Sequence, residues 1–333
     1  MEIIKCQLRF LTPAFVGDAN QDGVWRTPPI KALLRQWWRV AYAAENNFAV
    51  NVADMRHREG MLFGHAWLED DKQDGQPVAG RKSAVRIRLG HPVSNDQSAW
   101  TKGTQQGVAP MSTGLTASYS WFGLIERGPD LPDKSAISVD KPVESRRLLQ
   151  LAVPGEHAKD IKVALSLISQ YGTTGSRSRG GWGSILIDEW PDADEVNAGQ
   201  YSRNLSDCLD EEWAMSFATD KQGLMLWQSK DTFSSWDKAM SWIGRQRKMV
   251  RSELKVDKNL REMLGFAEIR DRLPSPLRWK VCPAKGNELR VLAFALPHAI
   301  PSVNKKNFSK VDLQRGWNII AGELDKTLAR VSE

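Results

Sequence analysis

Cysteine is scarce in this sequence, which has only Cys6, Cys208 and Cys282 and no CxxC pair. This scarcity excludes a disulfide framework and a cysteine-based zinc finger, and it predicts a reducing compartment, the cytoplasm. Long apolar runs are also missing, since none reaches the roughly 18 residues that a membrane-spanning helix needs. The first ten residues, MEIIKCQLRF, lack the apolar stretch of a signal peptide. We therefore expect no membrane partner.

The sequence is equally poor in motifs for catalysis. It contains no G-x-S-x-G elbow and no GGDD. Because the histidines are scattered singly, they do not have the spacing of a zinc site. We therefore predict no metal, no cofactor and no catalytic residue. The five histidines are His57, His65, His91, His157 and His298.

Two features of the sequence leave an enzymatic function as an alternative. Asp18 and Asp22 lie in the first loop, where a metal-dependent ribonuclease would need carboxylates, although shaping the loop is the simpler role. His57 would be the general base of a metal-independent RNA endonuclease, but nothing in the sequence orients its ring.

Positive charge is present in excess and is unevenly distributed. The 333 residues carry a net charge of +6 and a pI of about 9.2. Residues 192–220 are acidic, whereas residues 245–290 are basic and include RQRKMVR at 245–251. The chain also has fourteen tryptophans, and an exposed tryptophan can stack on a nucleobase. This distribution favours an anionic partner such as RNA.

Hydrophobic periodicity predicts a compact unit in the first half. Its order, strand, helix, strand, strand, helix, strand with insertions, is that of the ferredoxin-like or split βαβ unit. The predicted strands cover residues 4–10, 84–90, 117–124, 146–153 and 184–190, and the predicted helices cover 29–44, 53–63 and 157–171.

The second half is predicted to be a divergent copy of the first. A polar, acidic connection at residues 191–210 separates the two. We accordingly predict an N-terminal domain at 1–190, with a glycine-rich loop at 172–183, and a C-terminal domain at 211–333. The predicted helices of the second half cover residues 233–254, 259–269 and 308–331, and its strands cover 277–283 and 288–297.

The first helix has two contrasting faces when each residue advances by 100°. Its apolar face, which includes Trp37, is expected to be buried. An aromatic ring among cations suits single-stranded RNA, but a simple amphipathic helix with solvated charges remains the alternative. On the other side the wheel places Trp38 and Tyr42 beside the cations Lys31, Arg35 and Arg39.

The loop YGTTGSRSRGGWGS, residues 171–184, combines five glycines with two arginines. It lacks the lysine and serine or threonine ending of a P-loop and contains no G-x-G-x-x-G. We expect Arg177 and Arg179 to bind phosphates while Trp182 packs beneath or stacks on a base. A tight helix-to-strand connection with solvated arginines is the alternative. The glycines that would let the chain lie against a sugar-phosphate backbone are Gly172, Gly175, Gly180, Gly181 and Gly183.

Several stretches taken together resemble one known family. They are LRFLTPAFVGDAN, RTPPIKALLRQWWR, EGMLFGHAW, GRKSAVRIR, GTTGSRSRGGWGS and RLPSPLRWK. Their order and spacing resemble a RAMP-superfamily subunit of the type III-B CRISPR effector, the Cmr complex, and most of all its first-numbered RAMP subunit. The resemblance implies an α+β chain of two ferredoxin-like (RRM-like) RAMP domains with insertions.

The resemblance also implies a function. The chain would be a non-catalytic subunit that contacts the 3′ side of the guide crRNA and the paired target single-stranded RNA, at the head of a complex with other Cmr subunits. The alternatives are a RAMP-family RNA endonuclease and an assembly subunit that docks through residues such as Trp236 and Trp242 without touching RNA. The RNA-binding residues carried over by the resemblance are Lys31, Arg35, Trp38, Arg39, Arg81, Lys82, Arg177 and Arg179.

Overall fold

The first half folds around a four-stranded antiparallel sheet. The computed structural model describes residues 1–20, 22–68, 70–90, 99–100, 124, 135–139, 146–188, 190, 196–254, 258–267, 272–300 and 307–332. The sheet order is β4-β1-β3-β2, which is the ferredoxin-like order. Its elements are β1 (Glu2–Phe10), α1 (Thr27–Glu45), α2 (Val52–Phe63), β2 (Arg86–Leu89), β3 (Arg146–Val153), α3 (Ala158–Tyr171) and β4 (Ile185–Asp188).

Alternation along β1 places one face of this strand in the core. Ile4 lies opposite Leu151 of β3, and Leu8 lies opposite Ile187 of β4. Helices α1 and α3 contact each other and bury their apolar faces in the same core cluster as these strands. The apolar face predicted for residues 157–171 is confirmed, because Ile161, Ala164, Leu165 and Ile168 are all buried.

The second half repeats the same arrangement. Its four-stranded antiparallel sheet has the order β8-β9-β7-β10, so the two units share one topology. This confirms the predicted fold class of two ferredoxin-like units with insertions. The elements are β5 (Ser202–Asn204), α4 (Leu205–Cys208), β6 (Phe217–Asp220), β7 (Leu226–Ser229), α5 (Trp236–Glu253), α6 (Lys258–Glu262), β8 (Leu277–Pro283), β9 (Leu289–Ala295), α7 (Lys310–Thr327) and β10 (Leu328–Arg330).

The second half departs from the prediction in three places, with one missed strand and two helices that end early. Strand β7 was not predicted, because a strand of so few residues carries too short an alternation to recognise. The last helix ends at Thr327, and Leu328–Arg330 instead pairs with β7. The helix predicted at 259–269 is short, and Gly265, with a φ of +93°, follows its end.

Two further predictions concern the organisation of the chain. The strand predicted at 117–124 falls outside the described residues except for Leu124. The proposed boundaries at 1–190 and 211–333 stay predictions, with one four-stranded sheet on each side of the connection. In the part of the chain that the structure describes, no helix is long and apolar enough to cross a membrane. The cysteines are all free thiols.

Two short antiparallel strand pairs within residues 65–81 form a β-hairpin that is inserted between α2 and β2. His65 pairs with Arg81 at its base, and Lys72 pairs with Pro77 near its tip. The tip is a tight turn in which Asp74 and Gly75 both have positive φ, at 51° and 76°. Asp-Gly is a strong local signal for such a turn.

The two halves are joined through a buried lysine. Lys280 of β8 is fully buried, and its Nζ donates hydrogen bonds to the carbonyl oxygens of Ile168, Ser169 and Ile185 at 3.1, 2.5 and 2.7 Å. Ile168 and Ser169 belong to the last turn of α3, where helix carbonyls lack partners within the helix. A side chain of the second unit thereby caps a helix of the first.

Candidate nucleic-acid interface

The glycine-rich loop lies where the two units meet. The Gly183 N–H donates to the Pro13 carbonyl at 3.0 Å, and the Trp279 N–H donates to the Arg179 carbonyl at 3.1 Å. The Ser184 hydroxyl accepts from the Val281 N–H at 2.9 Å, which adds a second tie to β8. Three separate sequence stretches, TPAFVG, the loop and PLRWK, therefore form one site.

Glycine is required in this loop for packing against the protein itself. A Cβ at Gly183, which has a φ of +61°, would collide with the Thr174 carbonyl oxygen. Gly180 lies against Arg247 of α5, where a Cβ would come within 2.5 Å of Nη1 at the end of that flexible side chain. Gly172, Gly175 and Gly181 are also in close contact with protein atoms. The predicted role of the glycines, letting an RNA backbone lie on the chain, is corrected, because the close approach is made by the chain.

Trp182 is a core residue and not a stacking platform. Its side chain is fully buried, with its ring 5.2 Å from Phe15 edge-to-face and 6.0 Å from Trp236. The prediction that it packs beneath the loop is confirmed, and the prediction that it contacts a base is wrong. Trp236, a candidate docking residue, is buried in the same cluster.

Basic side chains surround this loop. Arg177 is exposed and has a φ of +57°, an unusual value for a residue with a side chain. Helix α5 contributes further cations, and it meets the loop where Gly180 faces Arg247. The loop–helix surface, as we name it, consists of Arg177, Arg179, Arg247 and Arg251.

Beneath this surface lies a buried cation. Arg278 of β8 is only 7% exposed, and its Nε has no hydrogen-bond partner among the described residues. Burial, and next the nearby charge of Arg179, lower the pKa of Arg278. Burial likewise lowers the pKa of Arg179 to about 10 and, together with both arginines, lowers the pKa of His298. Positive groups crowded out of water are stabilised by an anion.

The first helix does not present Trp38 to a ligand. Trp38 is 2% exposed, because its ring stacks on Tyr42 at 5.0 Å and meets Phe63 of α2 edge-on at 5.9 Å. The prediction that Trp38 stacks on RNA is therefore wrong. A helical wheel treats one helix alone, and here α2 covers the side that the wheel left open.

The cations of the first helix have a partner inside the protein. Arg35 and Arg39 both bind the buried carboxylate of Glu59, with Nε distances of 2.5 and 2.8 Å. Arg39 also lies over the Trp213 ring at 4.4 Å. Lys31 is half-buried, and burial, then the charge of Arg35, lower its pKa. The single carboxylate of Glu59 balances only one of the two arginines, so this group keeps a net positive charge. RNA contact by the cations of the first helix stays a prediction.

Arg81 and Lys82, at the base of the hairpin, differ from each other. Arg81 donates two hydrogen bonds to the buried carboxylate of Asp71, at 2.5 and 2.8 Å, and His65 contacts the same group at 2.7 Å. Arg81, then His65, hold the pKa of Asp71 down at about 2. Arg81 thus fastens the hairpin, whereas Lys82 is exposed and available to a ligand.

The exposed tryptophan of this hairpin is Trp67, which sequence reasoning missed. Its side chain is 78% exposed, and its φ of +66° is strained for a bulky residue. Its N–H donates to the Ala79 carbonyl at 2.8 Å, which holds it in the hairpin. The turn signal Asp74–Gly75 pointed to the hairpin, but no local pattern marks which tryptophan it exposes.

The predicted enzyme candidates have ordinary surroundings, with one exception. The Asp18 carboxylate accepts from the N–H groups of Asn20 and Asp22, so it shapes the loop as expected. His57 does have an orienting group, since its Nδ1 lies 2.9 Å from the Asp70 carboxylate. Within the described ranges, no cluster of three or more metal-ligating side chains occurs.

Comparisons with known proteins agree with this architecture. A family model described as the RAMP superfamily matches residues 7–186. No curated protein sequence is similar enough to count as a relative. The fold is similar to that of Cmr1 from Pyrococcus furiosus, with a TM-score of 0.55, 19% identity and 97% of each chain covered.

A second similar structure comes from a larger assembly. It is a chain of the type III-B Cmr-beta complex bound to cognate target RNA and AMPPnP, in the presence of ssDNA. The TM-score is 0.51 at 12% identity, over 97% of this chain and 99% of that chain. At such identities, these likenesses establish a shared fold.

Proposed function

The chain belongs to the RAMP superfamily, and from this we propose that it is a non-catalytic RNA-binding subunit of a type III-B CRISPR effector, the Cmr complex. In that complex it contacts the 3′ side of the guide crRNA and the paired target RNA, beside other Cmr subunits. The structures with a similar fold include a chain of a Cmr complex bound to target RNA. We place the assembly in the cytoplasm.

One observation carries the RNA-binding part of the proposal. Arg278 and Arg179 lie close together at the junction of the two units, and among the described residues the charge that acts on Arg278 is the positive charge of Arg179. The loop–helix surface continues this charge outward through Arg177 and α5. A polyphosphate backbone supplies negative charge to this surface, and base pairing between guide and target would supply sequence specificity.

A salt titration of the full chain against labelled single-stranded RNA tests this proposal. We expect the logarithm of affinity to fall linearly with the logarithm of salt concentration, with a slope of about −0.7 for each phosphate contacted. Absence of binding at low salt would favour the alternative of an assembly subunit without RNA contact.

The endonuclease alternative needs a separate test, because His57 is oriented by Asp70. The same RNA samples, incubated with magnesium or with EDTA, are run on a denaturing gel. We expect intact RNA in both. Cleavage lost on changing His57 to alanine but kept in EDTA would show a metal-independent nuclease and overturn the non-catalytic assignment.

Trp67 is the expected base-stacking residue of this chain. Changing Trp67 to alanine is expected to weaken RNA binding about tenfold, since one stacked base contributes about 1–3 kcal/mol. The salt slope should stay unchanged, because no charge is lost. Trp67→Phe retains a ring and should restore most of the affinity. Equal affinity of wild type and Trp67→Ala would assign this exposed ring to another partner.

A further inference from the structure

A cavity of about 440 Å³ lies between the end of α1, α2 and the start of α3. Its volume falls in the range of roughly 300 to 1,000 Å³ that is typical of ligand sites. The cavity is separate from the loop–helix surface, with which it shares no lining residue. Its wall combines an aromatic pair, Trp38 and Tyr42, with the carboxyl groups of Glu45, Glu156 and Asp160.

The cavity is acidic although the chain as a whole is basic. The same wall also carries the basic side chains of Arg58 and His157, and Arg58 already lies over the Tyr42 ring at 5.8 Å. Asp160 and Glu45 are close enough to form a hydrogen bond, and burial, then the charge of Glu45, raise the pKa of Asp160. Two carboxyl groups this close repel each other unless a proton or a cation lies between them.

The aromatic wall does not suit a nucleobase. Trp38 and Tyr42 are 2% and 9% exposed, and their rings stack on each other with an interplanar angle of 26°. A base would therefore find no open ring face. Ionised carboxylates only accept hydrogen bonds, so a ligand must bring donors to Glu45, Glu156 and Asp160.

The second feature of this site is the Trp38 indole N–H, which has no hydrogen-bond acceptor among the described residues. Trp38 belongs to the cavity wall, and its indole Nε1 is buried. A peptide with a basic side chain can satisfy both needs. Its guanidinium or ammonium group donates hydrogen bonds to the carboxyl groups, and its main-chain carbonyls accept a hydrogen bond from the indole N–H. A metal ion or a simple amine offers only the positive charge.

We propose that this cavity is a docking site for an arginine- or lysine-bearing segment of a neighbouring protein subunit. The cation enters between Asp160 and Glu45, and the main chain of the segment approaches Trp38. This inference concerns protein assembly, so it holds whether or not the chain binds RNA. An acidic cavity on a basic protein also keeps RNA phosphates away from this site.

The test follows the methyl resonance of Met61, which lines the cavity and is 37% exposed. The full chain is labelled with [¹³C-methyl]methionine, and Met61→Leu identifies the signal. The probe is the peptide acetyl-Gly-Arg-Gly-amide. We expect a saturable shift of the Met61 signal with a Kd on the order of 1 mM. Acetyl-Gly-Gln-Gly-amide, which lacks the charge, should cause no shift.

Matched variants separate the site from general charge. The double variant Glu45→Gln with Asp160→Asn keeps the side-chain shapes. It is expected to lower the affinity for acetyl-Gly-Arg-Gly-amide at least about fivefold. Glu212→Gln changes an exposed carboxylate elsewhere and should leave binding unchanged. If the double variant fails to fold, the wild-type chain still provides the test, because only the arginine peptide and not the glutamine peptide should shift the Met61 signal. Equal responses to both peptides, no response to either, or a Met61 shift with GMP alone would overturn the proposal.

Discussion

Replacing Lys280 by methionine is expected to lower the free energy of unfolding by about 3 kcal/mol. Methionine fills much the same space, but it leaves the carbonyl oxygens of Ile168, Ser169 and Ile185 without their buried donor. Because these acceptors belong to the first unit and the lysine to the second, the loss also weakens the contact between the units. Urea denaturation monitored by tryptophan fluorescence measures the change.

Lys285→Met is the matched control. Lys285 is exposed just beyond the end of β8, so its loss should change stability by less than about 0.5 kcal/mol. A Lys280→Met protein as stable as the control would show that the three carbonyls find other partners, water included.

The same lysine predicts how stability depends on pH. Burial lowers the pKa of Lys280 from 10.5 to about 7, an effect that the charge of Cys282 partly opposes. Between those values the unfolded chain binds a proton that the folded chain has released, so stability rises with pH. The stability difference between wild type and Lys280→Met should therefore grow from pH 7 to pH 9, by at most about 1.4 kcal/mol per unit. A difference independent of pH would mean that the amine stays charged when folded.

Changing both Arg177 and Arg179 to alanine is expected to weaken RNA binding about a hundredfold, because hydrogen bonds to charged groups contribute about 1.5–3 kcal/mol each. The loss should be similar for every RNA sequence, since phosphates carry no sequence information. It should also flatten the salt dependence by about 1.4 in slope, two phosphates at about 0.7 each.

Lys221→Ala with Lys285→Ala removes the same charge from two other exposed positions. We expect this control to bind RNA almost as the wild type does, with a similar slope. If both double variants lose the same affinity, binding depends on net charge and the loop–helix surface is not the site. A sequence-dependent loss would show that the arginines read base edges instead of phosphates.

Much of the fold is visible in short stretches of sequence. The alternation in residues 4–10 predicts β1, and the spacing of Ile161, Leu165 and Ile168 predicts α3 with its buried face. Strands β7 and β10 were missed, because so few residues do not establish a period. They form by pairing, β7 with β9 and β10 with β7, and their partners are distant along the chain.

The candidate site was predictable only in part. The basic segment RQRKMVR and the glycines and arginines of residues 171–184 can be read directly from the sequence. Both segments contribute to the loop–helix surface in the structure. Arg278 stood in a stretch that resembled the family, but its burial beside Arg179 follows from the position of β8 against the loop.

The sequence by itself determined the fold class and the basic character, because periodicity and charge depend on neighbours along the chain. The tertiary structure alone decided which of the tryptophans Trp38, Trp67 and Trp182 faces water. Trp38 is covered by α2, Trp182 lies beneath its own loop, and Trp67 is left exposed on a hairpin. Residues that are distant in sequence cover or expose each tryptophan. A helical wheel or the composition of a loop carries no information about those residues.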